Sequence, residues 1–174
     1  MEEKYLVISA KSGDRQAFAV LYERYKDRLY RYAYYRLGNK EDAQDAVSDC
    51  ILSAYRQISE IKRAESFSAW IFRILYCCCN EIIKQQINAR RTDSFDSLEN
   101  VLTQSSGNTI ENVVEKTQLQ QALAILSDEE KEIVLLSVTA GFTSKEIANT
   151  CNLTAGSVRS KLSRSLKKMR MFLE

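Results

Sequence analysis

The chain is 174 residues long and 45% apolar, with a formal net charge of +2, which is enough material for one large or two small folded domains. It contains no histidine, so Ser–His and Cys–His nucleophilic catalysis is excluded, as is every zinc site that needs an imidazole. It also has no proline and only five glycines; the turn punctuation of an all-β fold is missing, and the expected fold class is all-α.

The opening MEEKYLVISAKSGD lacks the basic-then-apolar layout of a secretory signal, and no apolar run approaches bilayer length. The expectation is a cytoplasmic protein without membrane insertion. Phe18, Leu21, Tyr22, Tyr25, Leu29, Tyr32 and Ala33 then fall on one face of a helix that Asp14 caps and Gly38 stops. A second helix begins near Lys40, with Ala43, Val47, Cys50, Ile51, Ala54, Tyr55 and Ile58 as its buried stripe. A third starts near Ser66 and buries Phe67, Trp70, Ile71, Ile74, Leu75, Cys78 and Ile82. Trp70 lies on that apolar stripe, so it reads as core rather than as a wedge between bases. Together these helices predict a compact first domain over residues 1–91, to which all nine tyrosines are confined.

Residues 92 to 115 carry five acids (Asp93, Asp96, Glu99, Glu111 and Glu115) and no base. Polar, acidic and weakly periodic, the stretch reads as a flexible linker over 92–112. A second domain over 113–174 follows: a helix through Leu119, Ala122, Leu123 and Leu126, then a capping box at Ser127 and Glu130. The next helix carries Ile133, Val134, Leu135 and Leu136, and Gly141 ends it.

The last stretch, Thr143 to Arg170, is the most specific. Thr143 and Glu146 form another capping box, the chain turns through Cys151, Asn152 and Leu153, and Thr154 caps a second helix with Val158, Leu162, Leu166 and Met169 at core spacing. Its other positions are small or cationic. Arg159, Lys161, Arg164, Lys167, Lys168 and Arg170 are six bases with no acid among them, which suits the approach of a helix-turn-helix to base edges and phosphates. The small net charge therefore conceals a segregated pattern.

The five cysteines, Cys50, Cys77, Cys78, Cys79 and Cys151, form no CxxC pair. Adjacent residues on a helix point in different directions, so the triple cannot converge on one ion. Free thiols without metal or cofactor are expected, with Cys78 in phase with the core.

With these parts in order, the chain resembles a bacterial RNA polymerase sigma factor of the sigma-70 family, extracytoplasmic-function (ECF) group. LGNKEDAQDAV and FSAWIFRI carry the resemblance in the first domain, and the helix-turn-helix carries it in the second. The resemblance implies a transcription initiation factor, not an enzyme, that binds core RNA polymerase and directs it to promoter DNA. It places Asp42, Asp45, Ser48 and Asp49 on the face that docks on a coiled coil of the largest polymerase subunit; relatives carry Gln-Glu where this chain has Ser48-Asp49. Acids clustered at three- and four-residue spacing repel one another, which a basic partner would explain. The resemblance also implies capture of the melted minus-10 element by Lys62, Arg63, Ser66 and Phe67 before the third helix and by Arg73, Tyr76, Asn80 and Lys84 on it, with Arg90 and Arg91 beyond. For the minus-35 element it implies Gly156, Ser157, Arg159, Ser160, Lys161, Ser163, Arg164 and Lys167. An anti-sigma factor as a further partner is expected by the same analogy, and a monomer when free because the sequence shows no heptad seam or other dimerisation element. A stand-alone helix-turn-helix regulator and a sigma-like interaction protein without promoter function are the competing readings.

Overall fold

The computed structural model describes residues 2–96 and 117–174, the side chains of residues 93–96 excepted. The expected linker beyond residue 96, and residues 113–116 of the expected second domain, lie outside the described residues. What is described is helical: α1 (Glu3–Lys11), α2 (Arg15–Leu37), α3 (Lys40–Gln57) and α4 (Phe67–Asp96), then α5 (Gln118–Ala124), α6 (Asp128–Val138), α7 (Ser144–Cys151) and α8 (Ala155–Leu173). Two short 3-10 turns, Ile58–Glu60 and Ala64–Ser66, link α3 to α4.

Local chemistry sets most of these boundaries. The Asp14 carboxylate accepts from the backbone N–H of Gln16 at 2.9 Å and of Ala17 at 3.2 Å, satisfying donors that have no partner inside α2. Gly38, at φ 83°, ends α2 in the left-handed region and its N–H bonds the Tyr34 carbonyl at 2.8 Å. Asn39 caps α3 by accepting from the Asp42 N–H at 2.8 Å. The capping boxes at Ser127/Glu130 and Thr143/Glu146 are both formed, and Thr117 and Gln120 make a third at the start of α5. α6 stops at Val138, and Gly141, at φ 73°, turns the chain so that the Phe142 N–H reaches the Leu136 carbonyl at 2.9 Å.

Helix α1 has no counterpart in the sequence reading. It buries only Leu6, Val7 and Ala10, too few positions for a periodic signal, and is held by tertiary contacts. Lys11 donates to the Ile61 carbonyl at 2.8 Å, and the Tyr25 hydroxyl donates to Glu3 at 2.9 Å.

Three stripes differ from expectation. On α3, Tyr55 is 45% exposed with its ring edge on Phe18, while Ala46 is buried instead. On α8, Leu166 is 43% exposed and Ser165 takes the core position; its hydroxyl donates to the Lys161 carbonyl at 2.7 Å, so nothing polar is stranded. On α4, Phe72 and Cys79 are fully buried beside Phe67, Ile71 and Leu75, whereas Cys78 is only half-buried. Ile71, Phe72, Leu75 and Cys79 share one arc of about 100° on the helix, and at the Phe72 edge of that arc the packing extends to the second domain, where Phe142 meets Phe72 edge-on with centroids 6.4 Å apart.

In helix α6 the five consecutive residues Glu132 to Leu136 are all buried, more than one helix face can account for. It lies between α7 and α8 of its own domain and α2 of the first.

Candidate nucleic-acid and polymerase interfaces

The helix-turn-helix is built by capping chemistry. Thr143 Oγ1 accepts from the Glu146 N–H at 3.2 Å while Glu146 Oε2 accepts from the Thr143 N–H at 2.8 Å. α7 then ends at Asn152, which adopts φ 56°, and the Leu153 N–H bonds the Ala148 carbonyl at 2.9 Å. Asparagine tolerates that left-handed conformation better than other side chains. Thr154 Oγ1 accepts from the Ser157 N–H at 3.2 Å, and Val158 anchors α8 in the core at 0% exposure.

Outward from that anchor lie the residues expected to read the minus-35 element. Gly156, Arg159, Ser160, Ser163, Arg164 and Lys167 are exposed, and Ser157 and Lys161 are half-buried. A Cβ on Gly156 would meet nothing within 4 Å, so the space beside it is open to an approaching backbone. Lys161 pairs with Glu129 at 2.5 Å and Lys168 with Glu130 at 2.7 Å, both acids lying in the first turn of α6. The Lys168 ammonium, then the Ser127 amide, hold the Glu130 carboxyl below the usual carboxylate range. Arg159 and Lys167 make no ion pair among the described residues. Arg164 Nε lies 3.3 Å from the Ser160 carbonyl, within reach of a competing phosphate or guanine.

In the first domain the four residues expected to face polymerase come together. Asp42, Asp45, Ser48 and Asp49 of α3 line a groove of about 550 Å³ whose other wall is Ile82, Gln85, Gln86 and Ala89 of α4. Asp42 has a structural duty as well. It sits in the first turn of α3, where a carboxylate opposes the helix dipole, and accepts from Gln86 at 2.6 Å and Asn39 at 2.5 Å. Asp45 and Asp49 are exposed and make no ion pair among the described residues. An acidic rim over a partly apolar floor suits a basic amphipathic helix.

Of the residues expected at the minus-10 element, Lys62, Arg63 and Ser66 are exposed on the turns before α4. Phe67 is a correction. It is 0% exposed, its ring meeting Tyr25 edge-on at 5.3 Å and Trp70 at 5.7 Å; it is the residue that seats α4 in the core and presents no surface to DNA. Its place on the apolar stripe was the signal. On α4 itself, Arg73, Tyr76, Asn80 and Lys84 follow at steps of three and four, so they share one arc of the helix. Arg73 and Lys84 are exposed, Lys84 pairing with Glu81 at 3.0 Å, while Tyr76 and Asn80 are half-buried. Arg90 and Arg91 continue the exposed basic track.

Two regions of sigma-70 factors match this chain in the order of its domains: sigma-70 region 2 over residues 21–91 and sigma-70 region 4 over residues 116–169. The chain belongs to the sigma-70 family. Among curated relatives, it is 26% identical over 170 residues to the ECF RNA polymerase sigma factor BldN of Streptomyces coelicolor; the match takes in 97% of the chain but 64% of BldN's own length. It is 25% identical over 180 residues to the ECF RNA polymerase sigma factor SigW of Bacillus subtilis, covering 96% and 94% of the two chains. Two solved structures share the fold of this sigma-70 protein. One is CnrH in complex with the cytosolic domain of CnrY, with TM-score 0.70 and 20% identity over 98% and 96% of the chains. The other is the sigma factor RpoE in complex with the anti-sigma factor NepR from Bartonella quintana, with TM-score 0.66 and 22% identity over 90% and 96%.

Four of the five thiols of this sigma-70 chain are raised by their surroundings. Burial, then the Glu132 charge, pushes Cys79 up to about 12 and Cys151 up to about 11; burial, then Asp49, pushes Cys78 up to about 11. Burial also raises Cys50. All four are thiols rather than thiolates at neutral pH. Among the described residues no three His, Cys, Asp or Glu side chains converge on a possible metal ion, and no helix is long and apolar enough to cross a membrane.

The sequence reading missed the residues that join the two domains. Glu132 of α6, 5% exposed, accepts from the Tyr32 hydroxyl and the Arg36 guanidinium of α2. Burial, then the Glu132 charge, raises Tyr32 well above the usual phenol range. Arg28 donates to the Thr139 carbonyl at 3.4 Å and the Ala140 carbonyl at 3.2 Å, at the carboxyl end of α6, with its guanidinium over the Tyr25 and Phe72 rings. The available signals were a tyrosine on a core stripe, whose hydroxyl needs a partner, and an acid abutting the apolar run Ile133–Leu136.

Proposed function

We propose that this chain is a cytoplasmic ECF transcription initiation factor that binds core RNA polymerase, directs it to specific promoters and helps open the duplex. The observation that carries the reading is the order of a region 2 domain and a region 4 domain in one chain. The acidic groove of Asp42, Asp45, Ser48 and Asp49 takes a basic helix of polymerase. The arc of Arg73, Tyr76, Asn80 and Lys84, with Lys62, Arg63 and Ser66 beside it, takes the single strand of the minus-10 element, where stacking and a basic track supply sequence-tolerant affinity. The exposed face of α8 takes the minus-35 duplex: Arg159 and Arg164 contact base edges or phosphates, with Lys161 and Lys167 positioning the backbone. None of these roles asks the chain to make or break a covalent bond. An anti-sigma factor is the regulatory partner, supported by the complex in which the Bartonella quintana sigma factor is held.

Mixing the purified chain with bacterial core polymerase and testing co-elution, then run-off transcription from a genomic fragment library, tests the reading. Co-elution with discrete start sites is expected. Co-elution without transcripts would replace it by a sigma-like interaction protein, and failure to co-elute by a stand-alone DNA-binding regulator.

A further inference from the structure

The cationic face of α8 meets acids of its own domain before it meets DNA. Lys161 and Lys168 stand two turns apart along one side of the helix, and each follows a buried residue, Val158 or Ser165, by three positions. Both therefore lie at the margin of the buried stripe. Their partners are consecutive residues of α6: Glu129 takes Lys161 at 2.5 Å and Glu130 takes Lys168 at 2.7 Å. Two of the six bases of α8 thus carry an internal counter-charge. Arg159, Arg164, Lys167 and Arg170 make no ion pair among the described residues.

The acids are held in place independently of the lysines. Asp128, Glu129 and Glu130 form the first turn of α6, where the helix dipole stabilises negative charge. Glu130 also closes the capping box, its Oε2 accepting from the Ser127 N–H at 3.0 Å while Oε1 accepts from the Lys168 ammonium. The Glu129 side chain is 46% exposed, so water can solvate its carboxylate when Lys161 leaves. A pair this exposed adds little to stability. What it changes is the charge that α8 offers, because a carboxylate on an ammonium occupies the donors that a backbone phosphate would otherwise take.

We propose that Glu129, seconded by Glu130, is an internal competitor for DNA phosphate: it holds Lys161 in the free chain, so that any duplex must displace it. Sequence-independent affinity comes from phosphate contacts. The pairs therefore weaken attachment to bulk duplex, while Arg159 and Arg164, with no acid to displace, remain available to base edges. The inference deepens the reading of α8 as the minus-35 helix and rests on it.

The experiment is fluorescence anisotropy of the full chain with a labelled random-sequence duplex at low salt. Glu129→Gln is expected to tighten binding about two- to fivefold. Glu130→Gln, in which glutamine can still close the capping box, should move affinity in the same direction. Asp128→Asn is the control for net charge: it removes one acid from the same turn but breaks no ion pair among the described residues, so its gain should be smaller. In a Lys161→Gln background, Glu129→Gln should give no more than the Asp128→Asn effect. If the pair served only to dock α6 on α8, Glu129→Gln would loosen the helix-turn-helix and weaken binding, a change of opposite sign.

Unchanged or weaker binding by Glu129→Gln overturns the inference. So does a gain equal to that of Asp128→Asn, or one that survives intact without Lys161. Arg159→Ala in the same assay checks the face itself and should weaken binding. Indifference to Arg159→Ala would defeat the minus-35 reading of α8 and this inference together, whereas weaker binding there without a gain from Glu129→Gln would defeat the inference alone.

Discussion

Replacing Phe67 separates a core role from a DNA role at one residue. The side chain is 0% exposed and sits between the Tyr25 ring at 5.3 Å and the Trp70 ring at 5.7 Å. Truncating a fully buried phenylalanine to alanine costs about 3–5 kcal/mol through lost burial and the cavity left behind, whereas Phe67→Leu, closer in volume, costs about 1–1.5 kcal/mol. With a urea dependence of about 2 kcal/mol per molar, a loss of about 4 kcal/mol lowers the midpoint by about 2 M. The assay is built into the chain: Trp70 is the only tryptophan and touches the mutated site, so its fluorescence follows the unfolding of the first domain. The leucine variant should fall by less than about 1 M and, once folded, form open promoter complexes as wild type does. An alanine variant as stable as wild type that had lost open-complex formation would refute the argument and return Phe67 to the DNA surface.

At the minus-35 face, Arg159→Ala and Arg164→Ala should each cost about 1–3 kcal/mol of promoter discrimination if they grip guanine, measured by competition between promoter and scrambled duplex, with co-elution on core polymerase retained. Charge reversal in the α3 groove, Asp45→Lys with Asp49→Lys, should weaken core binding by about tenfold or more in a salt-dependent way while leaving the Trp70 unfolding midpoint in place; unaltered binding would remove the groove from the polymerase interface. Alkaline pH should destabilise the fold. Tyr25 is raised to about 12, chiefly by burial, and Cys79 to about 12 and Cys151 to about 11, whereas in the unfolded chain thiols ionise near about 8.5 and phenols near about 10. The unfolded state therefore releases its protons first. The stability from these groups is complete below about pH 8.5 and lost as pH rises toward about 12, so a urea midpoint that stayed level from neutral pH to about pH 10 would contradict the burial of these groups.

Much of this molecule follows from rules that act within a few residues. The caps at Asp14, Ser127, Thr143 and Thr154, the stops at Gly38 and Gly141, and the turn through Asn152 all stand where their side chains predict, because a cap satisfies amides two or three residues away and needs no other part of the fold. The acids of α3 could be placed on one face for the same reason, since helical phase is local. Their gathering into a groove was not legible, because the second wall comes from Ile82, Gln85, Gln86 and Ala89, more than thirty residues later. The exchange of Leu166 for Ser165 on the buried side of α8 has a similar cause: period alone cannot tell which of two adjacent positions faces the core when α5, α6 and α7 all pack against the helix.

Legible in the sequence were the helical class, the caps and stops of most helices after α1, two chemically distinct parts on either side of an acidic stretch, and the cationic face of the last helix. Those properties depend on composition, period and capping, each of which is written into neighbouring residues. It took packing between distant parts of the chain to bury Phe72 and Cys79 beyond the expected stripe of α4, and to bring Glu132 to Tyr32 and Arg36 across the domain boundary. The last of these contacts joins residues about a hundred positions apart in the chain. No local pattern encodes such a pairing: it arises when α6, apolar on more sides than its own domain can cover, finds its remaining partner surface on α2.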